Sequence, residues 1–251
     1  MLLSRNLYIL YTLAHLKQKA NVRGTILGYL WWFIEPLMLI ALYSYVVGVI
    51  FGHSGPDQIL MIAIGVTLWK WWSTALSAAT TSFNRYKGIV TQVKIPLPIL
   101  PISEVFGQTY LFMFGYVLLQ VILIVMGYSP DILLLIIALL SSIIMVSALA
   151  LGFAILNVFI RDTAFLVGFG LRILFYVTPI IYPASRVPEH YRWLVDINPL
   201  AHLVSLFNDA LVYSNNVNYS HGFYFLIISS VFLMLMLFLS NKLRTAIIRN
   251  V

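Results

Sequence analysis

The chain has 251 residues, of which 61% are apolar and only 9% charged, with a formal net charge of +7. A soluble domain has about a quarter of its residues charged and roughly 45–50% apolar. These figures exclude a soluble globular domain, a disordered chain and a nucleic-acid binder, and they leave an all-α polytopic membrane protein.

Residues 1–25 carry Arg5, Lys17, Lys19 and Arg23 without a continuous apolar core or a cleavage site, so no signal peptide is expected. Residues 3–22 read as an amphipathic helix lying on the membrane. Leu3, Leu7, Leu10 and Ala14 recur on one face, and Tyr8, Thr12, His15 and Lys19 share another. Anionic lipid would attract its basic end. Such a helix serves either as a topology anchor or as an interface helix at the mouth of a pore.

A bilayer core about 30 Å thick needs roughly 20 apolar residues per helix. Six stretches qualify: 29–51, 59–82, 101–126, 132–159, 164–183 and 222–241. With the N-terminus inside, the inner segments hold 11 of the 15 basic residues. The outer ones hold Arg186 and Arg192 beside Asp57, Asp131, Glu189, Asp196 and Asp209. Both termini are therefore expected in the cytoplasm.

Span one begins with Trp31 and Trp32, and Glu35 follows one turn into the membrane, before Pro36. An intramembrane acid usually faces protein or water. It lies one turn beyond Trp31, so both can face one pathway. The other reading pairs Glu35 with Arg23 or a headgroup. Span two carries Trp69, Lys70, Trp71 and Trp72. These tryptophans form either an interfacial girdle, with Lys70 snorkelling to the surface, or a stacking platform for the apolar faces of sugar rings.

The inner loop 84–98 contains Arg85, Tyr86, Lys87 and Lys94 and ends at Pro96 and Pro98. A short basic helix there would suit docking of a cytoplasmic partner, or would simply retain the loop inside. Arg161 and Asp162 sit in the tight turn after span four, able to pair with each other. Arg172 falls within span five and calls for a polar lumen or an acidic partner, with Glu35 and Glu104 as candidates. The outer segment 184–221 has apolar stretches too short to span. Trp193 lies in it, and Asn198 is placed to cap a short helix starting at Pro199. Short re-entrant or surface helices are expected there.

No phosphate-binding Gly-x-x-x-x-Gly-Lys-Ser/Thr loop occurs, and no zinc-protease or nucleophile-elbow motif. The five histidines lack ligand spacing and cysteine is absent, so no metal site is expected.

Several segments together resemble the membrane subunits of ABC type-2 export permeases for surface polysaccharides. They are Leu27-Gly28-Tyr29-Leu30-Trp31 through Glu35-Pro36-Leu37, Asn157-Val158-Phe159-Ile160-Arg161-Asp162, Thr178-Pro179-Ile180-Ile181-Tyr182-Pro183, and Asn198-Pro199-Leu200. Gly65 to Trp69 is similar to the family's Gly-x-x-Pro-Trp step but has Thr67-Leu68 where the proline would be. The resemblance covers nearly the whole chain, read as one transmembrane domain over 1–251.

It implies a homodimer in the bacterial inner membrane with two copies of a separate ABC ATPase. The chain itself would hold no cofactor and be no enzyme; ATP and Mg would belong to the ATPase. The substrate would be a lipid-linked glycan, with O-antigen ranked ahead of capsule and teichoic acid, and no nucleic acid. Trp31, Trp32, Tyr43, Trp69, Trp71 and Trp72 would line the path, and Glu35, Lys70 and Arg172 would be its intramembrane polar groups. Arg85, Tyr86, Lys87 and Lys94 would couple to the ATPase. Lys17, Lys19, Arg23, Arg161 and Asp162 would sit at the cytoplasmic interface, near the lipid phosphate. Trp193, Asn198 and Pro199 would belong to the exit helices. The alternatives are an exporter of small amphiphiles, an ion-driven carrier using Glu35, Lys70 and Arg172, and an intramembrane glycan-modifying enzyme. The last needs a clustered His or carboxylate pair that the sequence lacks.

Overall fold

The computed structural model describes residues 8–10, 12, 14, 28–50, 52, 56–92, 95–213 and 218–251. No strand occurs among them. Lys17, Lys19, Arg23 and Lys94 lie outside the described residues, as does most of the 3–22 helix; residues 8–10, 12 and 14 of that segment are helical.

Helix α1 covers Trp31–Tyr45 and runs into a π-turn at Val46–Ile50. The long helices α2 (Pro56–Thr80), α5 (Ile99–Val125) and α6 (Ile132–Phe159) follow, with α3 (Ser82–Arg85) and α4 (Lys87–Gln92) between the first two. Next come α7 (Thr163–Val177), the short α8 (Arg192–Asp196), α9 (Pro199–Leu211), α10 (Tyr219–Lys242) and α11 (Arg244–Asn250). In lipid a helix satisfies every backbone group internally.

Five helices among the described residues are long and apolar enough to cross a bilayer: Phe33–Ile50, Asp57–Thr80, Ile99–Val125, Ile132–Phe159 and Tyr219–Lys242. The sixth expected span, 164–183, is a shorter helix. Helix α7 has 15 residues and extends about 22 Å, less than the hydrocarbon thickness. It stops because Thr178 precedes Pro179, and a residue before proline is driven out of the helical region; Thr178 has ψ 132°. The irregular turn beyond it is permitted at depth because protein covers it. Ile180 there is buried, and a Cβ on Gly65 of α2 would meet its Cγ2 at 2.9 Å.

Sequence chemistry sets the other ends. Helix α5 closes in a Schellman arrangement, with Gly127 at φ +90° and the Tyr128 N–H donating to the Leu123 carbonyl at 3.0 Å. Asp131 caps α6, accepting from the Leu134 N–H at 2.7 Å. Two apolar clusters hold the bundle. The larger joins α2, α5, α6 and α9 around Trp72, Leu123, Leu134 and Phe207. The smaller lies at the end bearing Arg85 and unites Phe83, Leu100, Leu151, Ile155 and Ile247. We call that end the basic end, and the end bearing Asp57 and Asp131 the acidic end.

Candidate functional site

Helix α1 is the least embedded long helix: only 6% of Phe33–Ile50 is buried, against 67% of Asp57–Thr80. It touches the bundle through two faces. On one, Tyr43 lies 5.2 Å from the Phe175 ring of α7. On the other, Glu35 receives an ion pair from Lys70 of α2. Two charges at membrane depth are tolerable when they neutralise each other. The pair answers the open question about both residues. Glu35 does not use Arg172, and Lys70 has no need to reach the surface. The pair stays accessible, with the Lys70 and Glu35 side chains 37% and 50% exposed.

This pair opens on a cavity of about 550 Å³ between α1, α2 and α5, with Gln108 and Phe112 on its far wall.

The span-two tryptophans turn inward. Trp69, Trp71 and Trp72 are all buried. Trp71 stacks on Phe112 at 4.2 Å and its Nε1–H donates to Thr109 Oγ1 at 3.1 Å. Trp69 meets Phe175 edge-on at 5.7 Å. Their rings are committed to packing between α2, α5 and α7 in this conformation. Exposed aromatic side chains lie instead on several helices, α1 and α7 among them. Trp31 and Tyr45 on the first, and Phe165, Phe169 and Tyr176 on the second, are exposed. Sequence reasoning missed the α7 aromatics. Their spacing of four and seven residues was the available signal.

Arg172 lies on the exposed side of α7 and forms no ion pair among the described residues. Neither acid expected for it is available, because Glu104 also has another partner. Arg85 Nη1–H donates to Glu104 Oε1 at 3.0 Å, and the Tyr86 hydroxyl donates to the same oxygen at 3.2 Å. Arg85 Nη2–H also donates to Thr81 Oγ1 at 2.9 Å. The Glu104 side chain is 1% exposed and that of Arg85 is 42% exposed. Burial first, then the Glu104 carboxylate, push the Tyr86 phenol up to about 12. Where one short basic helix is expected over 84–98, two occur, α3 and α4, and this pair bolts them to α5. Lys87 is exposed on α4. Arg161 and Asp162, both exposed after α6, are not joined by an ion pair among the described residues.

At the acidic end, Asn198 caps α9 as its position before Pro199 predicts, with Oδ1 accepting from the Leu200 N–H at 3.0 Å. Its Nδ2–H donates to Thr178 Oγ1 at 2.8 Å, and that hydroxyl donates onward to the Leu174 carbonyl at 2.6 Å. One residue thus fixes the start of α9 to the end of α7. Trp193 of α8 is exposed. A second cavity, of about 380 Å³, has Tyr176, Tyr182, Arg186 and Tyr191 on its walls.

Among the described residues no group of three His, Cys, Asp or Glu could hold a metal ion. A family model described as ABC-2 type transporter matches residues 10–212. Two O-antigen export system permease proteins RfbA of Klebsiella pneumoniae are each 26% identical to the chain. One match covers 81% of this chain and 79% of the relative, the other 90% and 88%. The protein of the same name from Myxococcus xanthus is 26% identical over 86% of this chain and 85% of its own.

Proposed function

Because the chain belongs to the ABC-2 type transporter family, a multi-pass protein of the bacterial inner membrane, we propose that it is the membrane-spanning subunit of a surface-polysaccharide exporter. The observation that carries this reading is the nearly end-to-end similarity to three O-antigen export permeases. The cargo is then a lipid-linked glycan, O-antigen ahead of capsule or teichoic acid. Two copies of the chain form the conduit, and a separate ABC ATPase drives it.

The residues divide the work as follows. The basic end faces the cytoplasm, where α3 and α4 receive the push of the ATPase. The bolt from Arg85 and Tyr86 to Glu104 passes that push into α5. The exposed faces of α1 and α7 meet their counterparts across the dimer seam. Trp31, Tyr45, Phe169 and Tyr176 line the seam with flat apolar faces. A sugar chain slides past such faces without the strong directional bonds that would hold it. Arg172 gives this wall its cation and attracts the glycan's anionic end. Buried Trp69, Trp71 and Trp72 keep the wall in place from behind. The tyrosine-lined cavity beside α8 shapes the exit.

The test is glycan display in cells that make the lipid-linked precursor. Deleting the chain should leave glycan inside, and supplying it with an active ATPase should restore display. Arg172→Gln should lower display with the protein still present in the membrane. Display that persists without the chain, or restoration by the chain beside a hydrolysis-deficient ATPase, overturns the reading.

A further inference from the structure

We propose that the cavity at the end of α7 binds an acidic sugar residue of the glycan, whose carboxylate pairs with Arg186 while the rings of Tyr176 and Tyr191 hold its apolar face. The inference deepens the proposed function by naming the class of sugar, and it rests on that reading for how the sugar reaches this end of the fold.

The chain builds this cavity from the stop in α7. The last carbonyls of a helix have no partner within it. Here the Tyr182 hydroxyl serves two of them, at 2.8 Å from the Tyr176 carbonyl and 3.0 Å from that of Val177. This bond draws the chain back to the helix end and spends the hydroxyl, so Tyr182 offers the cavity its ring. Two short turns follow, each opened by a proline: Ala184–Arg186 after Pro183, and Glu189–Tyr191 after Pro188. The Arg186 and Tyr191 N–H groups close them, donating to the Pro183 and Pro188 carbonyls at 3.0 and 2.9 Å. Arg186 and Tyr191 thus hold the same position in successive turns, and both line the cavity with Tyr176 and Tyr182. Tyr176 also stands one turn beyond Arg172 on the exposed side of α7, so the cavity continues the wall proposed for glycan passage.

The charge decides the ligand. Cations are disfavoured in outer segments, and Arg186 and Arg192 are the only basic residues between positions 184 and 221. Among the described residues Arg186 makes no ion pair, and its side chain makes no hydrogen bond. The acids of the same segment, Glu189, Asp196 and Asp209, are not on the cavity walls. A guanidinium presents paired N–H donors that match a carboxylate. The tyrosine rings beside it are negative on their faces. They turn an anion away and accept C–H groups. A sugar carboxylate is therefore directed to Arg186, and the C–H face of its ring to the exposed Tyr176 and Tyr191. A neutral sugar supplies the face without the anion, and a phospholipid headgroup supplies the anion without the face.

The full chain in phosphatidylethanolamine–phosphatidylglycerol nanodiscs is titrated with methyl glucuronide and with its uncharged methyl ester, and binding is read by saturation-transfer NMR. The acid is expected to bind about tenfold tighter than the ester, a difference of about 1.4 kcal/mol. Arg186→Gln should make the two equal, and Arg186→Lys, which keeps the charge and loses the fork, should fall between. Tyr191→Ala should weaken acid and ester by a similar factor. Both side chains are exposed, so neither change disturbs the core. Glycerol 3-phosphate, the headgroup chemistry of the surrounding lipid, should not displace the sugar at equal concentration. Equal binding of acid and ester by the unaltered chain, an acid preference that survives Arg186→Gln, affinities unmoved by Tyr191→Ala, or displacement by glycerol 3-phosphate overturns the proposal. The titration needs neither ATPase nor lipid-linked glycan. A chain that exports glycan yet shows no acid preference overturns this inference alone. One that prefers the acid yet exports no glycan refutes the proposed function and leaves the site standing.

Discussion

Arg85 and Glu104 meet at 3.0 Å across the basic end, and they stand in unlike surroundings, the cation half in solvent and the carboxylate enclosed. Their removals are therefore unequal. Arg85→Met takes the guanidinium from an enclosed carboxylate, whereas Glu104→Gln releases a cation that can turn to water and keeps an oxygen for Tyr86. Breaking a fully buried pair costs about 3–5 kcal/mol; the exposure of Arg85 reduces this to about 1–3 kcal/mol. Thermal unfolding in detergent should place Arg85→Met below Glu104→Gln. The opposite order would show that the pair does not anchor α3 and α4.

Trp71 is a packing residue in this conformation. Replacing it by Ala removes the stack on Phe112 and the bond to Thr109, an expected loss of about 3–5 kcal/mol. Trp71→Phe keeps most of the ring and should lose far less. Membrane abundance of the two variants, measured beside export, separates the roles. Export per folded molecule should be close to normal in Trp71→Phe.

Gly65 allows the turn after α7 to lie directly on α2. A Cβ added there would come within 2.9 Å of Ile180 Cγ2 and 3.3 Å of its Cα. Overpacking of this sort costs about 1–3 kcal/mol. Gly65→Ala should destabilise, and combining it with Ile180→Ala should recover part of the loss. The double-mutant cycle in unfolding free energy should show a coupling, as expected for residues in contact. Strict additivity would deny the contact.

Asp131 carries a pH dependence of known sign. The Leu134 N–H, then the Tyr219 hydroxyl, hold its carboxyl below the ordinary 3.8. A carboxylate with a lowered folded pKa stabilises fully above its unfolded value, and that contribution is lost as pH falls through the folded one. Stability from this cap should be level above about pH 4 and decline below it. Asp131→Asn keeps a capping oxygen and should flatten that acid limb. Unfolding midpoints between pH 3 and 7 read the difference.

The extents of α2, α5, α6 and α10 follow from hydropathy because a bilayer imposes one length on every spanning helix. The expectation of 132–159 and the helix Ile132–Phe159 coincide, since Asp131 caps one end and Ile160 turns extended at the other. Span five was overextended because apolar residues continue past Val177, and the Thr178–Pro179 step outweighs them. The facing of the tryptophans was not legible. A helix apolar all round has no polar side to orient it, so Trp71 and Trp72 reveal their direction only once Phe112 and Thr109 are in place. The ion pairs were illegible for a related reason. Glu35 and Lys70 are 35 residues apart, and sequence fixes their depth without fixing their azimuth.

The scant embedding of α1 bears on biogenesis. When α1 leaves the ribosome, none of the later helices that it packs on has yet been made. Its salt link arrives with Lys70, and its ring contact only with Phe175. Until α2 brings Lys70, lipid alone surrounds this helix, and the contact with α7 closes later.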